Sequence, residues 1–234
     1  MNQSHTKLYL IPTVLADDTQ QQVLSPQILS TIQKLNVFFV ENIRTARRFI
    51  SSLKLGKVID EITFIELHKD TPEHMTMEHL RKLTEDAGVL SEAGCPGVAD
   101  PGAVAVGIAH RLGIRVVPLV GPSSILLALM SSGLSGQSFA FHGYLPIDKA
   151  ERKKALQQLE RDARQSGQTQ IFMETPFRNN AFFDAILESC ATDTMLCIAA
   201  NVTAEDEFIK TMSVKNWKAN KPDLHKKPTI FLIG

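Results

Sequence analysis

The sequence carries no excess of charge: 25 Lys and Arg stand against 25 Asp and Glu in 234 residues. That balance excludes a molecule-wide field for nucleic acid, so a polyanion would have to meet a local patch. Cysteine is scarce and odd in number. Cys95, Cys190 and Cys197 fit neither a disulfide framework nor a metal-ligand spacing, which suits a reducing cytosol. HExxH and CxxC are absent, so no metal is expected. No apolar run reaches about 18 residues, which excludes a membrane-spanning helix. The polar N-terminus MNQSHTK lacks the apolar core of a signal peptide, and a cytoplasmic protein is expected. No GxGxxG opens a helix after the first strand, where IPTVLADDTQQQ stands, and GxxxxGK[ST] is missing. Both absences weaken a nicotinamide or P-loop reading. Repeats and low-complexity segments are also lacking.

What is present is 44% hydrophobic and long enough for one large domain or two small ones. Apolar bursts alternate with amphipathic stretches. Strands are expected at 8–11, 37–40, 64–67, 88–90 and 115–119. Helices are expected at 25–34, with Ser25 as N-cap and Pro26 first, at 45–52, over the dozen residues after Thr71-Pro72, and at 103–112, closed by Gly113. This alternation predicts a parallel sheet with helices on both faces. The small-residue stretch VGPSSILLALMSSGL leads into an apolar helix. Beyond Gly136 the texture changes: strands at 139–141, 170–173, 195–198, 208–212 and 229–232 are interrupted by helices at 150–164 and 180–190, which predicts a mixed sheet. The fold class is therefore α/β, with two α/β domains, 1–122 and 123–234, joined near 121–137.

One stretch stands out. LSEAGCPGVADPG, residues 90–102, places two tight turns in tandem where the fourth strand ends. In open parallel sheets ligands bind beyond the carboxyl ends of the strands. Small residues there let backbone N–H and C=O groups approach a ligand, and the helix that follows favours an anion at its N-terminus. Gly121-Pro122-Ser123-Ser124 leaves the fifth strand in the same manner. A plain strand-to-helix connection is the competing reading, but two adjacent loops of this kind favour a binding site.

Four blocks, LSEAGCPGVADPG, GIRVVPLVGPSS, FAFHGYLPIDKAERKKAL and IFMETPFR, resemble in order and spacing the tetrapyrrole methylase superfamily of S-adenosylmethionine-dependent methyltransferases. They are most similar to the branch that methylates a cytidine ribose 2'-hydroxyl of small-subunit (16S) ribosomal RNA. The resemblance spans most of residues 8–234. It implies two α/β domains with S-adenosylmethionine in the cleft between them, and a homodimer. It also implies ribosomal RNA or the small ribosomal subunit as partner, without a membrane. Carried over by position, the cofactor contacts would be Pro12, Gly94, Cys95, Val98, Ser123, Ser124, Met173 and Val202. No catalytic base is identified.

The chain departs from the branch in several places. T-P-I-G-N-L-x-D is IPTVLADD, keeping Pro12 and Asp17 or Asp18. A-E-D-T-R is VENIRTARR, keeping Glu41 and Arg44. Phe177 replaces the histidine of H-R. A-R-E-L-T-K-x-x-E is AANVTAEDE, which loses the Arg-Glu pair and keeps Thr203. These losses keep other readings open: a divergent paralogue methylating a tetrapyrrole or another small molecule, or a non-catalytic module that binds RNA or a partner. A nucleotide-dependent oxidoreductase is a third class. Among single residues, Cys95 is expected to present backbone rather than a reactive thiol, and Asp100 to cap the helix after it. His142 is expected to be a satisfied core or cleft histidine rather than a general base, and Met173 to lie against the cofactor. Arg44, Arg47 and Arg48 form one basic face, and Lys149, Arg152, Lys153 and Lys154 another; both are candidate phosphate contacts.

Overall fold

The computed structural model describes residues 6–68 and 70–234. The reading of the polar N-terminus thus falls largely on 1–5, outside the described residues. The chain divides into two compact units, Met1–Ser123 and Ser124–Gly234.

The N-terminal unit runs β1 (Lys7–Ile11), α1 (Gln20–Val23), α2 (Pro26–Lys34), β2 (Val37–Val40), α3 (Ile43–Ser52), β3 (Thr63–Glu66), α4 (Glu73–Arg81), β4 (Ala87–Leu90), α5 (Gly102–Arg111) and β5 (Arg115–Pro118). Its five strands lie in the order β3-β2-β4-β1-β5, every pair parallel. Strands buried on both faces read as continuous apolar runs, as VFFV and AGVL do. Two cores flank the sheet. Ile28 and Ile32 of α2 and Ala46 and Ile50 of α3 pack with Phe38 and Val40 on one face. Leu80 of α4 and Ala105, Ile108 and Ala109 of α5 pack with Phe39 and Val89 on the other. Gly88 lies in the central strand because a Cβ there would crowd Ile11 and Phe38.

Ser25 caps α2, accepting from the Ile28 N–H, and Pro26 is its first residue, as the sequence implied. The helix after Pro72 is shorter than expected, ending at Arg81, because Lys82 to Asp86 form the tight turn into β4. The α1 turn and a 3-10 turn at Ile59–Glu61 carry no hydrophobic period and were invisible to it.

The C-terminal unit runs α6 (Ser124–Ser132), β6 (Phe139–Tyr144), α7 (Lys149–Ser166), β7 (Thr169–Met173), α8 (Asn179–Ser189), β8 (Met195–Ala200), β9 (Phe208–Ser213), α9 (Val214–Ala219) and β10 (Thr229–Ile233). The sheet is mixed, in the order β6-β7-β10-β8-β9: β6 and β7 are parallel and the remaining pairs antiparallel. Its core stacks Phe172 on Phe231, with Phe182 edge-on to both. Trp217 of α9 donates its indole N–H to the Leu196 carbonyl at 2.8 Å, which anchors a helix too short for periodicity to reveal. Among the described residues no helix is long and apolar enough to cross a membrane.

Candidate functional site

In the N-terminal unit, chain direction creates a crevice. β1 leads to α2 on one face of the sheet, while its neighbour β4 leads to α5 on the other. Adjacent strands whose continuations diverge leave open backbone at their carboxyl ends, where open α/β sheets bind ligands. The 90–102 loop fills this place. Gly94, Gly97 and Ala99 all have positive φ, at 72°, 80° and 58°. Asp100 holds the double turn by accepting from Gly97 N–H at 2.6 Å and Gly102 N–H at 2.8 Å. The N-cap of α5 is Pro101, which offers no side-chain acceptor, so Asp100 acts one residue earlier than a standard cap and ties two turns together. Burial pushes its carboxyl above the ordinary value, against the lowering effect of those two N–H groups.

The Gly94 carbonyl accepts from Thr13 N–H at 2.9 Å and Ser91 Oγ at 2.6 Å, joining the loops after β1 and β4. A Cβ on Gly94 would stand 3.1 Å from Leu15 Cδ2 and 3.3 Å from the Pro122 carbonyl, and φ of +72° is strained for any other residue. Cys95 donates its thiol to the Pro122 carbonyl at 3.3 Å, and burial raises its pKa. It therefore remains a protonated thiol that braces the loop. Pro12 is buried against Gly121, where a Cβ would overlap the proline ring. Of the expected contacts in this unit, Pro12, Gly94 and Cys95 converge on the ends of β1, β4 and β5, with Ser123 following Pro122. Val98 is half exposed at the tip of the loop.

In the C-terminal unit, Ser124 opens α6, Met173 ends β7 and Val202 follows β8. Val202 is buried between two residues in the left-handed region, Asn201 at φ 49° and Thr203 at φ 76°. A β-branched residue at such φ is a genuine outlier. The turn is held by Thr203 N–H donating to Glu207 Oε2 at 2.7 Å and Asn201 Nδ2 donating to Asp206 Oδ2 at 2.8 Å. Thr203 Oγ1 is buried with no hydrogen-bond partner. Beside Met173, the buried Glu174 accepts from Arg178 at 2.6 Å and from Thr175 N–H at 2.6 Å. His142 bonds Gln170 at 2.7 Å but stands exposed on β6, so it is a hydrogen-bonded surface histidine and not the core one expected.

The residues suit S-adenosylmethionine. In the N-terminal unit Gly94, packed against Leu15 and the Pro122 carbonyl, keeps the loop backbone bare of side chain, and in the C-terminal unit Thr203 has an orphaned hydroxyl for a polar ligand atom. Sequence reading singled out Thr203 only as a retained residue, because no side-chain pattern announces a threonine at positive φ. Among the described residues no group of three or more His, Cys, Asp or Glu stands together to hold a metal.

Both basic faces need correction. Arg47 is engaged by Asp60 and lies over the Phe64 ring, leaving Arg44 and Arg48 exposed on α3. Arg152 donates to the Ile147 carbonyl at 3.4 Å, leaving Lys149, Lys153 and Lys154 exposed on α7.

Two α/β units of this topology, with a glycine-rich loop after β4, have the fold of solved methyltransferases. The fold matches the methyltransferase CobJ (TM-score 0.64, 14% identity, 98% of this chain and 94% of that one). It also matches a Thermus thermophilus uroporphyrin-III C-methyltransferase solved with S-adenosyl homocysteine (TM-score 0.58, 14% identity, 97% of each chain). No family model matches the chain. Sequence relatives are more specific. The ribosomal RNA small subunit methyltransferase I of Pseudomonas aeruginosa is 31% identical over 216 residues, 90% of this chain and 73% of that protein. Its counterpart in Leptospira borgpetersenii is 31% identical over 186 residues, 76% and 68%. That of Buchnera aphidicola is 26% identical over 231 residues, 97% and 77%. The chain belongs to the ribosomal RNA small subunit methyltransferase I family.

Proposed function

We propose that this enzyme transfers the methyl group of S-adenosylmethionine to a ribose 2'-hydroxyl of small-subunit ribosomal RNA. When bound, the cofactor supplies an activated methyl on a sulfonium, so the protein's task is alignment rather than activation. In the N-terminal unit, Gly94 lets backbone approach the cofactor, the Thr13–Gly94 bridge fixes that backbone, and Asp100 holds the double turn behind it. In the C-terminal unit, Met173 and Val202 supply apolar contact and the Thr203 hydroxyl a polar one. The Cys95 thiol stays protonated and takes no part in transfer.

The observation that carries the RNA acceptor is the start of α7. Lys149 and Arg152 occupy its first turn and Lys153 and Lys154 follow, where the positive end of the helix dipole disfavours cations. Asp148 accepts from the Ala150 and Glu151 N–H groups and offsets only part of that repulsion. Exposed cations kept at an unfavourable helix end fit phosphate. The relatives' names point to the same acceptor. The test is a Lys149→Glu/Lys153→Glu/Lys154→Glu variant, which spares Arg152 because that side chain holds a backbone carbonyl. Acids suit this helix end, so the variant should melt no lower than the parent. Methyl transfer to small ribosomal subunits should fall, and the salt dependence of RNA binding should flatten by about one unit of slope for each phosphate no longer neutralised. An unchanged salt slope with full transfer would reject the RNA acceptor.

The same reading takes a second copy of the chain as partner and the cytoplasm as the place of action. Val120, Met130, Tyr144 and Ile147 present large apolar side chains to solvent, and a stable dimer would bury about 1,600 Å² in total. Light scattering that returns a monomer at micromolar concentration overturns the dimer.

A further inference from the structure

Phe177 is 70% exposed, more than any other aromatic residue described. A lone exposed ring needs no explanation, but this one is held in a built setting. The 174–180 and 223–228 segments are laced together: Lys226 N–H donates to the Pro176 carbonyl at 3.0 Å, Asn179 Nδ2 to the Lys227 carbonyl at 2.6 Å and Leu224 N–H to Asn180 Oδ1 at 2.8 Å. Lys226 takes a φ of 61°, which a lysine adopts only at a cost, and its Nζ stands over the Phe177 ring, 5.9 Å from the centroid. His225 meets the same ring edge-on at 6.1 Å.

Both segments lie at the edge of the C-terminal sheet where β7 and β8 end. Asn201 N–H donates to the Pro228 carbonyl at 2.9 Å, and Met173 pairs with Ile230 just beyond it. The ring thus stands beside the expected cofactor contacts of this unit, yet none of Phe177, His225 and Lys226 is one of them. The nearby carboxylates are engaged. Glu174 is buried and held by Arg178 at 2.6 Å, and Asp223 accepts from Asn180 Nδ2 at 2.8 Å and His225 N–H at 3.0 Å. Lys226 makes no ion pair among the described residues. A π-face beside an unpaired cation suits single-stranded nucleic acid, which stacks a base on the ring and sets a phosphate on the cation. A duplex keeps its base faces stacked and offers neither ring nor cation this pairing.

We propose that Phe177 is a stacking platform for an unpaired base of the RNA substrate that flanks the methylated nucleotide, with Lys226 on the adjoining phosphate. The assignment rests on RNA as acceptor and adds to it a second point of grip, made by this chain's own phenylalanine where the branch carries histidine. A phenyl ring offers a face and no hydrogen bond. Recognition here is therefore by stacking and strandedness: any unpaired base is taken and a duplex is refused.

The test places a reporter at the ring. Trp217 is the chain's single tryptophan and is buried, so the indole introduced by Phe177→Trp is the exposed emitter. In the full chain saturated with S-adenosylhomocysteine, its fluorescence should be quenched by single-stranded polyadenylate and by polyuridylate, and hold steady with the duplex of the two. Adding Lys226→Gln should flatten the salt dependence of that quenching by about 0.7 of a unit of slope, the share of one phosphate on a single strand. On small ribosomal subunits, Phe177→Leu keeps apolar bulk and loses the π-face. It should raise KM about tenfold or more with kcat retained, while S-adenosylhomocysteine affinity and Tm hold. Phe177→Trp should keep the parental KM. Absent quenching, equal quenching by duplex, or an unaltered KM in Phe177→Leu overturns the platform. So does a Phe177→Leu chain whose oligomeric state changes, which assigns the ring to a second copy instead. Parental transfer without quenching sinks the platform and leaves the RNA reading standing. Quenching by single strands without parental transfer sinks the RNA acceptor and leaves the platform as a single-strand-binding surface.

Discussion

Thr203→Gly separates what the C-terminal unit needs to fold from what it needs to bind. At φ 76° a residue with a Cβ is strained by about 1–2 kcal/mol, and glycine is free of that strain. Removing a buried hydroxyl that has no partner relieves at least about 1 kcal/mol more. Against this stands the extra backbone entropy of glycine in the unfolded chain, about 0.5–1 kcal/mol. The balance is a gain of about 1–2 kcal/mol. Each kcal/mol corresponds to a rise in Tm of roughly 2–4 °C for a protein of this size. If the hydroxyl is kept for the cofactor, the same variant should bind S-adenosylhomocysteine about five- to tenfold more weakly, the worth of one hydrogen bond in a buried site. Thr203→Asn, which accepts the left-handed conformation and keeps a polar group, should lie between the two for binding. Calorimetry for affinity and thermal unfolding for stability provide the readouts. A glycine variant that is less stable than the parent, with cofactor affinity unchanged, would refute both the strain and its purpose.

Gly94→Ala should have the opposite signature, losing about 1–2 kcal/mol of stability to the left-handed φ and weakening S-adenosylhomocysteine at the same time, because its Cβ crowds Leu15 and the Pro122 carbonyl. Urea unfolding and calorimetry on one preparation check both; a variant that binds normally would misplace the cofactor. Asp100→Ala should loosen the double turn by removing the acceptor of two N–H groups, raising proteolytic nicking in 95–101; unaltered nicking would refute the role given to Asp100. Glu41 has its pKa raised above its ordinary 4.5 by burial and by Glu92 and Asp100, so the folded state binds the extra proton and stability falls as pH rises through that value. Glu41→Gln should therefore be more stable than the parent at pH 7 and lose that advantage below about pH 4.5, as read from urea midpoints at the two pH values; an advantage that persists in acid would contradict the assignment.

The two-unit α/β architecture was legible because its signals are long-range regularities. Apolar runs such as VFFV can be satisfied only in a doubly covered sheet, and Ser25-Pro26 has one favourable place at a helix start. The 90–102 loop was legible for a related reason: Pro and Gly constrain the backbone directly, so their spacing predicts turns without tertiary information. Side-chain partners were not legible. Arg47 looked equivalent to Arg44 and Arg48 until the fold brought Asp60 beside it, and Arg152 looked like its lysine neighbours until its guanidinium reached the Ile147 carbonyl. The role of Thr203 lay beyond the sequence because it depends on what the hydroxyl does not touch. An unpaired hydroxyl or carboxylate has the same letter as a paired one, and only coordinates distinguish them. The segments in which this chain departs from the branch, 11–18 and 199–207, are the ones that build one side of the Thr13–Gly94 bridge and the strained turn. Neither departure removes a core residue type: Ile11 and Ala199 remain fully buried in their strands. Selection for folding alone would leave Thr203 free to become a residue better suited to a left-handed turn. Its presence in place of an easier residue is the physical reason to look for ligand specificity there rather than in the loop the sequence advertised.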